Sequence, residues 1–264
     1  MNPTHLLLLG FLAFVPANAR AEAVPAAEND SAIVTDYTKG LIDIDLSYHG
    51  DRIHFFGALQ GIEADGVVVK LTSPAERVKL NIAGRVGPLW MNVKQYEVDN
   101  VPFMYKIHAS APMDTLVPPG LARQLGLGFE TVKDQLQLHL VKGEAGETDK
   151  DTLFDGLLKL KKKANLYKID DQSRIRIKNG KIFQHFFTFP SAAKAGEYQV
   201  ESFVLKDGKL VARAMDTIQI RKVGLEAFVA NAAQNHPMLY GISAVVIALV
   251  TGLVVGYLFK GGAH

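Results

Sequence analysis

The chain has 264 residues, 48% of them hydrophobic, with 29 Lys and Arg against 27 Asp and Glu and no cysteine. That length accommodates two small domains and a membrane anchor. The balanced charge, with cations interspersed among carboxylates, argues against nucleic acid as a partner. The missing cysteine excludes disulfides, thiolate catalysis and Cys-zinc sites.

Residues 1–21 read as a secretory signal peptide. Leu6 to Val15 is an apolar run too short for a comfortable span, and Ala19-Arg20-Ala21 is an A-x-A cleavage site ahead of Glu22. An uncleaved N-terminal anchor is the alternative. Residues 22–35, Ala- and Pro-containing and polar, read as a mobile lead.

Alternation then sets in, and residues 36–111 are expected to form a first β-sandwich unit. Ile42, Ile44, Leu46 and Tyr48 share one face of a half-buried strand. Gly66 to Thr72 and Arg77 to Ile82 flank Ser73-Pro74-Ala75-Glu76, which has hairpin-turn chemistry. Val101 to His108 reads as one strand, with Pro102 pointing to a sheet edge. From residue 112 to 167 the period changes. Phe129, Val132, Leu136 and Leu140 recur at helical spacing, and Leu153, Phe154, Leu157 and Leu158 share a helix face after Asp149.

Residues 168–223 are expected to form a second, Ig-like β unit. Asn179-Gly180 and Asp207-Gly208 predict tight hairpins. Tyr198, just inside a strand after a glycine, is similar to the tyrosine corner of Ig-like sandwiches. Phe183, Phe186, Phe187 and Phe189 are expected on both faces of their strand, in core and interdomain packing. Whether the two β units are one domain or two is open at this stage. The fold class is mainly β with a helical insertion (α+β).

Residues 224–236 follow with Leu225, Phe228, Val229 and Ala232 at amphipathic spacing. Residues 237–259 read as a transmembrane helix. No residue from Met238 to Phe259 is charged, and a helix over that stretch rises about 33 Å, enough for a hydrocarbon core about 30 Å thick. Residues 260–264 form the tail. With a signal peptide this gives one orientation: bulk of the chain in the periplasm, C-terminus cytoplasmic, Lys260 at the inner end in line with the positive-inside bias.

The residues Phe56-Gly57-Ala58, Trp90-Met91-Asn92, Val101-Pro102-Phe103-Met104-Tyr105, Gly196-Glu197-Tyr198, Asp207-Gly208 and Lys222-Val223-Gly224-Leu225-Glu226 occur in this order, with Pro237 to Gly241 leading into the span. On them, the chain resembles a transmembrane protein family of alphaproteobacteria. Met104 departs from the small polar or aromatic residue expected at its place. The resemblance covers nearly the whole mature chain. It implies a signal peptide, a periplasmic β-rich body and one C-terminal span, and a loose association with permeases resembling sulfite exporters. It implies no activity, and no cofactor is expected.

The residues alone supply no catalytic signature: no G-x-S-x-G, no G-x-G-x-x-G and no Walker pattern occurs. The expectation is therefore a non-enzymatic protein. His54, His108 and His185 lie on strands that bring distant residues together, without any metal-ligand spacing. Lys161, Lys162 and Lys163 with Arg174 and Arg176 are candidates for an anion or lipid-headgroup surface. Ala244, Ala248, Gly252 and Gly256 repeat every four residues along the span, a small-residue stripe on which another helix can approach. The partner is the inner membrane, with an integral partner such as a permease, or a homodimer, meeting that stripe. The leading reading is an accessory or interaction subunit of an inner-membrane complex such as a transporter. The alternative is a membrane-tethered sensor or binding protein for a small anion.

Overall fold

A computed structural model describes residues 32–171 and 175–259. The signal peptide, most of the lead, Arg174 and Lys260 lie outside these residues. In chain order the elements are β1 (Ile33–Tyr37), β2 (Leu41–Ile44), β3 (Gly50–Leu59), β4 (Gly66–Thr72), β5 (Ala75–Val86), β6 (Leu89–Pro102) and β7 (Tyr105–Ala109). Then come α1 (Met113–Leu116), α2 (Pro119–Gln124), α3 (Phe129–Gln135), β8 (Gln137–Lys142), α4 (Asp149–Lys163) and β9 (Tyr167–Asp170). The last are β10 (Arg176–Lys178), β11 (Ile182–Pro190), β12 (Gly196–Lys206), β13 (Lys209–Lys222), α5 (Gly224–Asn235) and α6 (Pro237–Phe259).

The chain is mainly β with helices, as the alternation predicts. Its strands form a central sheet, β2-β13-β12-β4-β7-β9, an outer sheet, β1-β3-β11-β10, and a small sheet, β5-β6-β8. The stretches 36–111 and 168–223 are woven together. In the outer sheet β3 pairs with β11, and in the central sheet β4 pairs with β12. They share sheets instead of forming two sandwiches side by side. Pattern along one strand shows which face is buried, not which strand lies beside it.

The central sheet is covered on both faces, so its strands read as continuous apolar runs. Val67, Val69 and Leu71 of β4 face a first core, shared with Ile53, Phe55, Phe183 and Phe187 of the outer sheet. Val68, Phe203, Tyr105 and Ile107 face a second core. That core is closed by Leu125 and Val132 near α2 and in α3, Leu153, Phe154 and Leu157 of α4, and Tyr96 and Val98 of the small sheet. The phenylalanines of β11 lie on both faces of the strand, as expected. Phe183, Phe187 and Phe189 are buried on one face, while Phe186 lies on the other, under the Arg52 guanidinium.

Three local expectations are corrected. Ser73-Pro74 is not a hairpin turn: β4 and β5 do not pair with each other, and the chain there passes from the central to the small sheet. Val101 to His108 is not one edge strand. It breaks after Pro102, and β6 and β7 are both interior strands of different sheets. The helical spacing of Phe129 to Leu140 holds only to Gln135, because Gln137–Lys142 pairs as β8 with β6.

The turn chemistry behaves as predicted. Asn179 and Gly180, and Asp207 and Gly208, all have positive φ, as the type I′ turn requires. The Tyr198 hydroxyl donates to the carbonyl of Lys194 at 3.0 Å and accepts from its N–H at 3.3 Å, a tyrosine-corner arrangement.

Candidate functional site

Two features stand out from ordinary packing: a polar cleft at the margin between the central and outer sheets, and the exposed helix α6. Alternation along β7 turns Tyr105 and Ile107 to the second core and leaves Lys106 and His108 to face the outer sheet. There they meet Thr188 and Phe186 of β11, and with Asn165, Lys168 and Asp170 they line a cleft of about 110 Å³. The Lys106 ammonium donates to the Thr188 carbonyl at 2.9 Å. It has no carboxylate partner among the described residues, whereas Lys168 pairs with Asp170 at 3.0 Å. Burial, reinforced by the like charge of Lys168, brings the Lys106 pKa down to about 8.

Behind the cleft, His108 stacks on Phe187 at 4.5 Å, and its ring lies 5.6 Å from that of His185. His185 is 4% exposed, and neither of its ring nitrogens has a hydrogen-bond partner among the described residues. Burial, with His108 as a lesser cause, pushes its pKa well below the usual histidine range. This ring is therefore neutral. Of the three strand histidines, two come together. His54 lies beside Phe186 on the opposite face of the outer sheet. Among the described residues no group of three His, Asp or Glu is placed to hold a metal ion.

The β body ends at Lys222, and α5 and α6 follow. The apolar helix Pro237–Tyr257 has none of its residues buried against the rest of the protein and is long enough to cross a membrane. A groove of about 700 Å³ lies between the two helices, lined by Phe228 and Val229 of α5 and by Tyr240, Ala244, Ile247 and Ala248 of α6. The small-residue stripe is thereby divided. Ala244 and Ala248 border the groove, while a Cβ added at Gly252 or Gly256 would meet nothing within 4 Å.

The family model described as "Putative transmembrane protein (Alph_Pro_TM)" matches residues 32–261. The chain belongs to this family. No curated protein matches it.

In this Alph_Pro_TM chain four of the basic residues singled out from sequence, Lys161, Lys162, Lys163 and Arg176, lie among the described residues. Lys161 is 8% exposed and donates to Glu76 at 2.9 Å and to the Phe103 carbonyl at 3.0 Å, so it is a buried structural cation. Lys162 lies 4.7 Å from the Phe129 ring centroid, Lys163 is exposed at the end of α4, and Arg176 is exposed on β10. Lys194 joins Lys161 on Glu76. Burial would raise the Glu76 pKa, but these two cations hold it below the usual range. Lys106 escaped the sequence reading because a lone lysine in an alternating strand looks solvent-facing. The signal lies in the partner sheet that covers it, which no local pattern reveals.

Proposed function

We propose that the chain is a single-pass protein of the bacterial inner membrane, with its β body in the periplasm and its C-terminus in the cytoplasm. It acts as a non-enzymatic accessory subunit of an inner-membrane complex such as a transporter. The observation that supports this reading is α6, an apolar helix with every described side chain exposed and two glycines of its small-residue stripe facing open space. Without a hydrophobic drive between helices in lipid, close approach at small residues is what lets two spans associate. The partner helix is that of a permease or of a second copy.

Purification of the tagged full chain from detergent-solubilised membranes tests this. A stoichiometric integral partner, or a second copy, is expected, and Gly252→Ile with Gly256→Ile is expected to release it. A chain that always runs alone overturns the reading.

A second reading, a binding protein for a small anion, is favoured by one observation: the buried Lys106 ammonium with a backbone carbonyl as its partner and Lys168 nearby. An anion the size of sulfate or phosphate supplies the missing counter-charge. It would raise the melting temperature of the full chain, since a ligand of the folded state stabilises it. Lys106→Met is expected to abolish that rise, and a flat response to sulfate, sulfite and phosphate removes this reading.

A further inference from the structure

β5 and β6 make a long hairpin whose far end is covered by none of the described residues. β4 and β7 pair as far as Thr72 opposite Tyr105, and β5 and β6 resume at Ala75 opposite Pro102. Between them Ser73 N–H donates to the Met104 carbonyl at 3.0 Å and Phe103 N–H to the Pro74 carbonyl at 3.4 Å. One antiparallel ribbon therefore runs from the central sheet into the small sheet. β8 covers β6 only between Gln95 and Asp99, so beyond Gln95 the ribbon is two-stranded. At its tip Trp90 is 74% exposed, Leu89 66%, and Val86 and Met91 50% each.

Three features of this tip point to one occupant. First, an exposed apolar side chain stands on each of its faces: Val86, Leu89 and Met91 on one, and Trp90 beside Arg85 on the other. Val86 lies opposite Leu89 and Arg85 opposite Trp90, and successive side chains point to opposite faces. A protein groove takes one face of a hairpin; a lipid interface surrounds both. Second, no carboxylate occurs between Glu76 and Glu97. Arg77 pairs with Asp99, Lys79 with Glu97 and Lys94 with Asp149. Arg85 alone of these cations has no carboxylate partner among the described residues, and its Nε folds back to the Gly87 carbonyl at 3.0 Å. Third, the ribbon leaves the central sheet at the end where the chain departs for the membrane. Thr72 pairs with Gln199 and Gln199 with Thr217, from which β13 runs on to Lys222, α5 and α6.

We propose that the tip of the β5–β6 hairpin, Val86 to Met91, inserts into the interface of the same membrane that holds α6, with Arg85 at the level of anionic headgroups. Tryptophan favours that zone because its ring is apolar and its indole N–H finds a partner at the headgroups. Three residues of extended chain reach about 10 Å, the depth to which interfacial apolar groups are buried. A second contact fixes the body against the bilayer, where a single helix leaves it free to swing.

The chain has one tryptophan, so its fluorescence reports on this tip alone. The full chain is reconstituted in vesicles of phosphatidylethanolamine and phosphatidylglycerol, some with a doxyl quencher near the headgroup. Emission shifted to the blue relative to the urea-unfolded chain, and quenched by the shallow doxyl lipid, is the expected result. Val86→Asp with Leu89→Asp, both at exposed positions, is expected to return emission to the water-exposed range and to remove the lipid quenching. Water-like emission of the unaltered chain in vesicles overturns the proposal. A blue shift without lipid quenching also overturns it, because the tip is then covered by protein.

Discussion

His185 occupies a place where a phenylalanine would pack without polar cost. It sits between Phe55 and Phe187, with ring centroids 5.3 and 4.8 Å away. A buried polar group without a protein partner costs about 1–3 kcal/mol, so His185→Phe is expected to stabilise the protein by roughly 1 kcal/mol at neutral pH, read from urea unfolding. The pH dependence has a definite sign. Unfolding frees the ring to take up a proton near pH about 6.5, while the folded ring stays neutral well below that value. Stability is thus full above about pH 6.5 and falls as the pH drops below it, because the unfolded state binds the extra proton. The phenylalanine variant is expected to flatten this fall, and an unchanged slope would assign it to other groups. At this scale the sequence is only partly legible. Tyr198 after Gly196 announced its corner through local spacing. His185 was visible as a strand residue, but its neutrality follows from the central sheet laid over it.

At the scale of elements, ion pairs lock neighbouring strands and loops. Glu201 of β12 is 5% exposed and is held by Lys70 of β4 and Arg213 of β13. Lys70 also donates to the Leu125 carbonyl at 3.1 Å, tying the central sheet to the end of α2. Removing the carboxylate strands two cations over Phe203, and breaking a buried pair in this way costs about 3–5 kcal/mol. Glu201→Ala is expected to lose stability of that order in denaturant titration, with Lys70→Met restoring part of it. A loss below about 1 kcal/mol would mean the site is open enough for water to replace the carboxylate. Asp149 plays a similar part at the start of α4. Lys94 first, then the Tyr96 hydroxyl and the Gly146 N–H, bring its pKa to about 2. Its stabilisation is present above about pH 4 and fades as the pH falls toward 2. Element limits were legible where turn residues set them, as at Asn179-Gly180. They were not legible at Leu136. There an apolar pair four residues apart fits a helix turn, yet Leu138 pairs with Val98 on β6.

The whole molecule is a β body of two cores carrying an exposed apolar helix. The proposed topology has a direct consequence. Protease added to spheroplasts is expected to degrade the body while a tag after His264 stays protected until the membrane is opened. Protection of the body instead reverses the orientation. The sequence by itself determined the β-rich class, the family and the membrane-spanning length of 237–259, because periodicity, turn chemistry and an uninterrupted apolar run are local properties of the chain. Only the tertiary structure decided that the two β stretches share sheets, that Lys161 is buried while Lys106 borders a cleft, and that Trp90 stands at the bare tip of a ribbon. Strand partners are set by contacts between residues more than a hundred positions apart, as Phe183 lies opposite Gly57. An alternating pattern gives each strand a buried face without naming the strand that will lie beside it or the sheet that will cover it.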